Sequence, residues 1–145
     1  MIKVQKEPMN NYKEHPQINF SNFTEKRGRL TVVDFRKDLP FEINRVFWIT
    51  NVGSEETRGN HAHRTCYEVV IAVSGSFKVK LSTDGKNFSE YTLDDPTKGL
   101  IIAPYVWCQL YDFSSNSVCL CLASEEYIST GYIHTLDEFA LEVCK

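Results

Sequence analysis

A chain of 145 residues, 42% of them hydrophobic, is about one domain's worth of polypeptide and long enough to bury a core. Its formal charge of −3, from 16 Lys+Arg against 19 Asp+Glu, excludes a global field that would hold it on nucleic acid or an anionic membrane. The opening MIKVQKEPMNNYKEHPQ has no apolar core segment and no later apolar run approaches spanning length, so the expectation is a soluble, cytoplasmic protein. Five cysteines (Cys66, Cys108, Cys119, Cys121, Cys144), odd in number and without CxxC spacing, predict reduced and mostly buried thiols rather than a disulfide scaffold.

In chain order, residues 1–17 show neither helical nor strand periodicity and read as an N-terminal arm, flexible or lent as a strand to a partner subunit, before a single domain over 18–145. From about Leu30 to Leu122, short stretches rich in Val, Ile, Phe, Tyr and Thr are cut by Gly, Pro, Asn and Asp, the pattern of a sandwich or barrel. Strands are predicted at 30–35, 43–50, 67–73, 76–81, 88–93, 99–103, 107–111 and 118–123. SFKVKLSTDGKNFSEYTL alternates on both sides of Asp84-Gly85, which predicts a hairpin with a tight turn there. Only the end reads as helix: Thr135 precedes LDEFALEVC, with Glu138 three residues on as in a capping box.

The chemistry concentrates in HAHRTCYEVVIAVSG, residues 61–75. In an extended strand residues two apart share a face, so His61 and His63 project together while Ala62 faces away. Arg58-Gly59 precede the pair, and Glu68 and Gly75 follow it. Two imidazoles and a carboxylate suit a three-ligand divalent-metal site with open positions. Two imidazoles alone suit proton transfer near neutral pH.

The spacing G…HxH…E…G resembles the first motif of the cupin superfamily, and GLIIAPYVWCQL resembles the second. The resemblance implies an all-β double-stranded jelly roll, here with a short C-terminal helix. Many cupins add a further histidine from the second motif as a metal ligand; here Cys108 and Gln109 stand where it would fall. A closer resemblance runs from about Phe20 to Phe139, through KRGRLTVVDF, LPFEINRVFWI, RGNHAH, VSGSFKVKL, KGLIIAPYVW, YDFSSNSVCLCLAS and YIHTLDEF. These segments are similar to the sugar-nucleotide 3,4-ketoisomerases, the WxcM-like or FdtA-like branch of the cupins.

That resemblance implies a dTDP-4-keto-6-deoxyhexose as substrate, an enediolate intermediate, no metal or organic cofactor, and a homodimer. Carried over residue by residue, it makes His61 and His63 the catalytic pair and puts Arg58, Arg45 and Arg27 on the diphosphate. Trp107 is expected to stack on base or sugar, with packing as its alternative, and Glu68 and Phe47 to face the substrate. Three positions depart from the family pattern: Glu68 stands for the usual Gln, Cys108 for His, and Phe47-Trp48 for Tyr-Tyr. The other readings are a metal-dependent cupin built on His61, His63 and Glu68, a sugar-nucleotide 3,5-epimerase, and a non-catalytic sugar-nucleotide binding module. Cys108, Cys119 and Cys121 read as core, and Arg29 and Arg64 as solvated surface charge.

Overall fold

The sequence's alternating and continuous apolar runs become two facing five-stranded antiparallel sheets in a computed structural model describing residues 11–145. One sheet is ordered β1 (Gln17–Asn19), β9 (Lys98–Ile102), β6 (Glu68–Ser74), β11 (Val118–Ala123), β4 (Arg45–Thr50). The other is ordered β12 (Tyr132–Ile133), β5 (Arg58–His63), β10 (Trp107–Tyr111), β7 (Phe77–Ser82), β8 (Ser89–Leu93). Neighbours far apart in sequence pair throughout, which is the predicted jelly roll.

Burial explains which strands alternate and which do not. The central strand β6 is buried over most of its length: Val70 and Ala72 enter the core between the sheets, while Val69 and Ile71 face outward under Phe20, Leu39 and Phe41. Covered on both faces, it reads as the unbroken run EVVIAV. Edge strand β4 is covered on one face only, so RVFWIT alternates strictly: Arg45, Phe47 and Ile49 turn inward and Val46, Trp48 and Thr50 face out. The C-terminal helix α3 (Leu136–Val143) is capped as predicted, the Thr135 hydroxyl accepting the Glu138 N–H at 3.2 Å. Its Phe139 is fully buried over Trp107, Ala62 and Ile133.

Three expectations change. The strand predicted over 30–35 stops at Val32, because Asp34 accepts the Arg36 N–H and starts a one-turn helix, Phe35–Asp38. The hairpin at Asp84-Gly85 forms, but as a six-residue connection between β7 and β8 rather than a tight turn. The Asp84 carboxylate accepts both the Lys86 and Asn87 backbone N–H groups at 2.8 Å, and only Gly85 adopts positive φ. The boundary predicted between 17 and 18 falls inside β1, which pairs with β9 after a short helix at Asn11–Glu14. The rest of the predicted arm, residues 1–10, lies outside the described residues.

Among the described residues the remaining two strands, β2 (Ser21–Glu25) and β3 (Gly28–Val32), make a hairpin that pairs with neither sheet. Its cross-strand partners Phe23 and Leu30 are 63% and 62% exposed.

Candidate active site

Residues 58–63 would alternate faces if β5 were regular, and Arg58 and His61, three apart, would point in opposite directions. A bulge prevents that. Cys108 pairs with His61 and Gln109 with Gly59, so Asn60 is the extra residue, and Gly59 and Asn60 both take positive φ (78° and 58°). Asn60 is held there by its side-chain oxygen, which accepts from Gln109 Nε2 at 2.8 Å, and by its own amide, which donates to Thr57. A side chain at position 59 would approach the Cys108 carbonyl to 3.0 Å, which is why glycine stands there. The bulge turns Arg58 and His61 into the same cavity.

The cavity, of about 360 Å³, lies between the sheets and opens to solvent. That volume falls within the range of small-molecule sites. Ile49, Val70, Leu110, Cys108 and Cys121 make an apolar floor, and Arg45, Arg58, His61, Glu68, Tyr127 and Tyr132 supply the polar groups. Phe47 also lines it; with no phenol to offer, its ring lies under the Arg45 guanidinium, 5.2 Å from the ring centre.

His61 Nδ1 lies 3.1 Å from the Gly59 carbonyl oxygen. A carbonyl only accepts, so Nδ1 carries the hydrogen. Burial, and next the neighbouring His63 charge, push the His61 pKa down to about 4, so the ring is neutral at pH 7 and Nε2 holds a free lone pair. That Nε2 is buried and has no hydrogen-bond partner among the described residues. His63 stands behind it, ring centres 4.9 Å apart, and is 2% exposed. Its Nε2 lies 2.9 Å from Glu68 Oε1 without making an aligned hydrogen bond.

Burial raises the Glu68 pKa, but the contact with His63 and the neighbouring His61 and Arg45 groups outweigh it and hold the carboxyl below its ordinary value. Arg45 Nη2 is 3.7 Å from the same carboxylate oxygen and 3.5 Å from the Tyr132 hydroxyl, which accepts from it. Arg45 Nε, also buried, has no partner among the described residues. Orphaned buried polar atoms are rare in folded proteins and mark where ligand atoms or water belong. Here His61 Nε2, His63 Nε2 and Arg45 Nε cluster in and behind one cavity wall.

The nitrogen and oxygen atoms of His61, His63 and Glu68 lie within 4.8 Å of one another, so the donor set of a divalent-metal site is assembled. Arg45 beside the carboxylate competes with a cation for it.

Not every predicted residue joins the site. Trp107 is 7% exposed, packs against Phe139 at 5.9 Å between ring centres, and does not line the cavity. Arg27 sits at the turn of the β2–β3 hairpin, paired with Glu25 at 2.6 Å and outside the cavity wall. Cys108 is at the cavity floor, where burial raises its thiol pKa far above the ordinary value and leaves no nucleophile. Tyr132 and Tyr127 were not singled out by the sequence pattern. Tyr132 joins the histidines through the β12–β5 pairing Tyr132↔His63, its ring 5.0 Å from His61 and 4.5 Å from His63.

The chain matches the family described as WxcM-like, C-terminal (FdtA) over residues 13–144. It is 40% identical over 132 residues to a TDP-4-oxo-6-deoxy-alpha-D-glucose-3,4-oxoisomerase of Aneurinibacillus thermoaerophilus, covering 91% of this chain and 94% of that one. A solved structure of the 3,4-ketoisomerase QdtA from Thermoanaerobacterium thermosaccharolyticum, a histidine-to-asparagine mutant in complex with TDP-4-keto-6-deoxyglucose, superposes with TM-score 0.85. It shares 38% identity and covers 88% of this chain and 91% of its own. The rmlC epimerase of Mycobacterium tuberculosis, at 18% identity and TM-score 0.66 over 80% of this chain and 66% of that one, shares the fold.

The site makes stability fall in acid. Above pH 6.5 His61 is neutral in both folded and unfolded chains; as pH falls from 6.5 towards 4 only the unfolded chain takes up the proton. The loss reaches at most about 3 kcal/mol. Glu68, whose folded pKa is lowered, contributes stability above 4.5 that is lost at still lower pH. Urea unfolding between pH 7 and pH 4.5 is expected to show a progressive loss that is shallower in His61→Asn; equal slopes in the two proteins would refute the burial of a neutral His61.

Proposed function

The chain belongs to the WxcM-like, C-terminal (FdtA) family, and on that premise we propose that it is a 3,4-ketoisomerase of a TDP-linked 4-keto-6-deoxyhexose, with His61 as the base. The observation that carries this reading is the tautomer of His61: Nδ1–H is engaged by the Gly59 carbonyl, so the only free nitrogen is an unprotonated, partnerless Nε2 in the cavity wall.

In the proposed reaction, Nε2 removes the proton from carbon 3 of the sugar. The electron pair forms the C3–C4 double bond and the carbonyl oxygen on carbon 4 becomes an enediolate oxygen. Arg45, whose Nε lacks a partner, stabilises that charge in a partly desolvated pocket. The hydroxyl proton on oxygen 3 passes to oxygen 4 by way of the Tyr132 phenol, which lines the cavity and accepts from Arg45. The imidazolium, whose Nε2–H exchanges with solvent through the open cavity, then delivers a proton to carbon 4, leaving the carbonyl at carbon 3 and a neutral His61. His63 and Glu68 form a polar layer behind His61, and Arg58 at the exposed rim is the donor for diphosphate. No step calls on a metal or organic cofactor, and five free cysteines fit the reducing cytoplasm as its compartment.

A second reading, a metal-dependent cupin enzyme, is favoured by the assembled donors of His61, His63 and Glu68. The two part on one experiment. Incubated with TDP-4-keto-6-deoxyglucose in deuterated water, the protein is expected to place deuterium at carbon 4 of the 3-keto product, with activity surviving chelator. His61→Asn should lower kcat on the order of 10²- to 10⁴-fold while still binding TDP. Turnover abolished by chelator and restored by metal would favour the second reading; label confined to carbon 5 would point to epimerisation instead.

We also propose a homodimer. An isolated two-stranded hairpin is at best marginally stable in water. The β2–β3 hairpin, with Phe23 and Leu30 exposed, fits one that lies on a second copy and carries Arg27 to it. The wild-type protein is expected to sediment as a dimer and a Phe23→Asp, Leu30→Asp variant as a monomer; a wild-type monomer at micromolar concentration would overturn this.

A further inference from the structure

Arg64 follows His63 directly but does not line the cavity, and its charge alone assigns it to solvent. Its neighbours say otherwise. Its backbone N–H donates to the Gly131 carbonyl at 2.9 Å, and its Nη1 donates to the carbonyls of Thr130 and Tyr132 at 3.0 and 2.8 Å. Its Nη2 donates to Glu142 at 2.7 Å and reaches Glu138 at 3.3 Å, both on α3. One residue therefore grips three successive carbonyls and fastens them to a helix.

What it grips is a segment with little regular structure of its own, a single 3₁₀ turn at Ser129–Gly131 and the two-residue strand β12. From that segment Tyr132 covers both imidazoles and receives the Arg45 hydrogen bond. We propose that Arg64 is a positioning residue of the active site: by holding residues 130–132 from outside, it keeps the Tyr132 ring against His61 and His63 and so fixes where the His61 lone pair points. The kinetic part rests on the ketoisomerase reading; the placement of the rings does not. Lysine cannot substitute, because a single ammonium lacks the planar fork that serves two carbonyls and two carboxylates together.

The test uses Arg64→Lys and Arg64→Ala, with Tyr132→Leu as the reference for a lost ring, read by the ring-proton NMR resonances of His61 and His63 and by kinetics on TDP-4-keto-6-deoxyglucose. In the arginine variants the histidine resonances are expected to move from their wild-type positions towards those of Tyr132→Leu. Catalysis should fall on the order of 10- to 100-fold in kcat, with KM unchanged. A Glu138→Gln, Glu142→Gln variant keeps the grip on the carbonyls, so it should lose thermal stability while its histidine resonances stay in place. Unmoved resonances in Arg64→Lys, or a kcat that holds while only the melting temperature drops, would overturn the proposal. If the wild-type protein shows no isomerase activity, the resonances alone decide the positioning claim, and only the reading of the reaction fails.

Discussion

The bulge at Gly59–Asn60 is the constraint on which the site depends. One extra residue breaks the two-residue period of β5 and aims Arg58 and His61 into the same cavity. The same irregularity turns the Gly59 carbonyl onto His61 Nδ1, fixing the tautomer. Restore a regular strand and both effects go together: the arginine faces away and the imidazole loses the partner that leaves Nε2 free. Asn60, Gln109 and the absent side chain at Gly59 are thus part of the chemistry although none is placed to react.

Around that base the protein arranges opposite solutions to burying charge. His61 avoids the cost of desolvation by staying neutral, whereas Glu68 stays ionised in contact with His63 and beside the Arg45 guanidinium. The resulting layer of Arg45, Glu68 and His63 is held by few aligned hydrogen bonds, with Arg45 Nε and both histidine Nε2 atoms unsatisfied. A tightly satisfied network would be more stable and chemically inert. Orphaned groups beside an apolar floor leave free-energy gain for the moment a polar ligand arrives.

The fold was legible because burial on one or two faces writes itself into residue period: β4 alternates, β6 does not, and α3 carries its cap in Thr135 and Glu138. The histidines were legible for the same reason, two residues apart on a strand. Tyr132 was not, since it reaches the site through a ladder between segments almost 70 positions apart in the chain. Arg64 looks like a surface charge because its acceptors are mostly backbone carbonyls, which carry no sequence signature. Trp107 misleads in the opposite sense: an aromatic beside a motif suggests stacking on a ligand, but α3, folded from the far end of the chain, covers it. Arg27 matches a family position, yet its place on a hairpin outside both sheets is a property of topology.

Catalysis turns on one proton on one ring. Nitrogen-15 NMR of the histidine side chains at pH 7, with His61 assigned by substitution, reads it directly. His61 is expected to be a neutral imidazole protonated at Nδ1 and bare at Nε2. A proton on Nε2, as either the other tautomer or an imidazolium, would contradict the account.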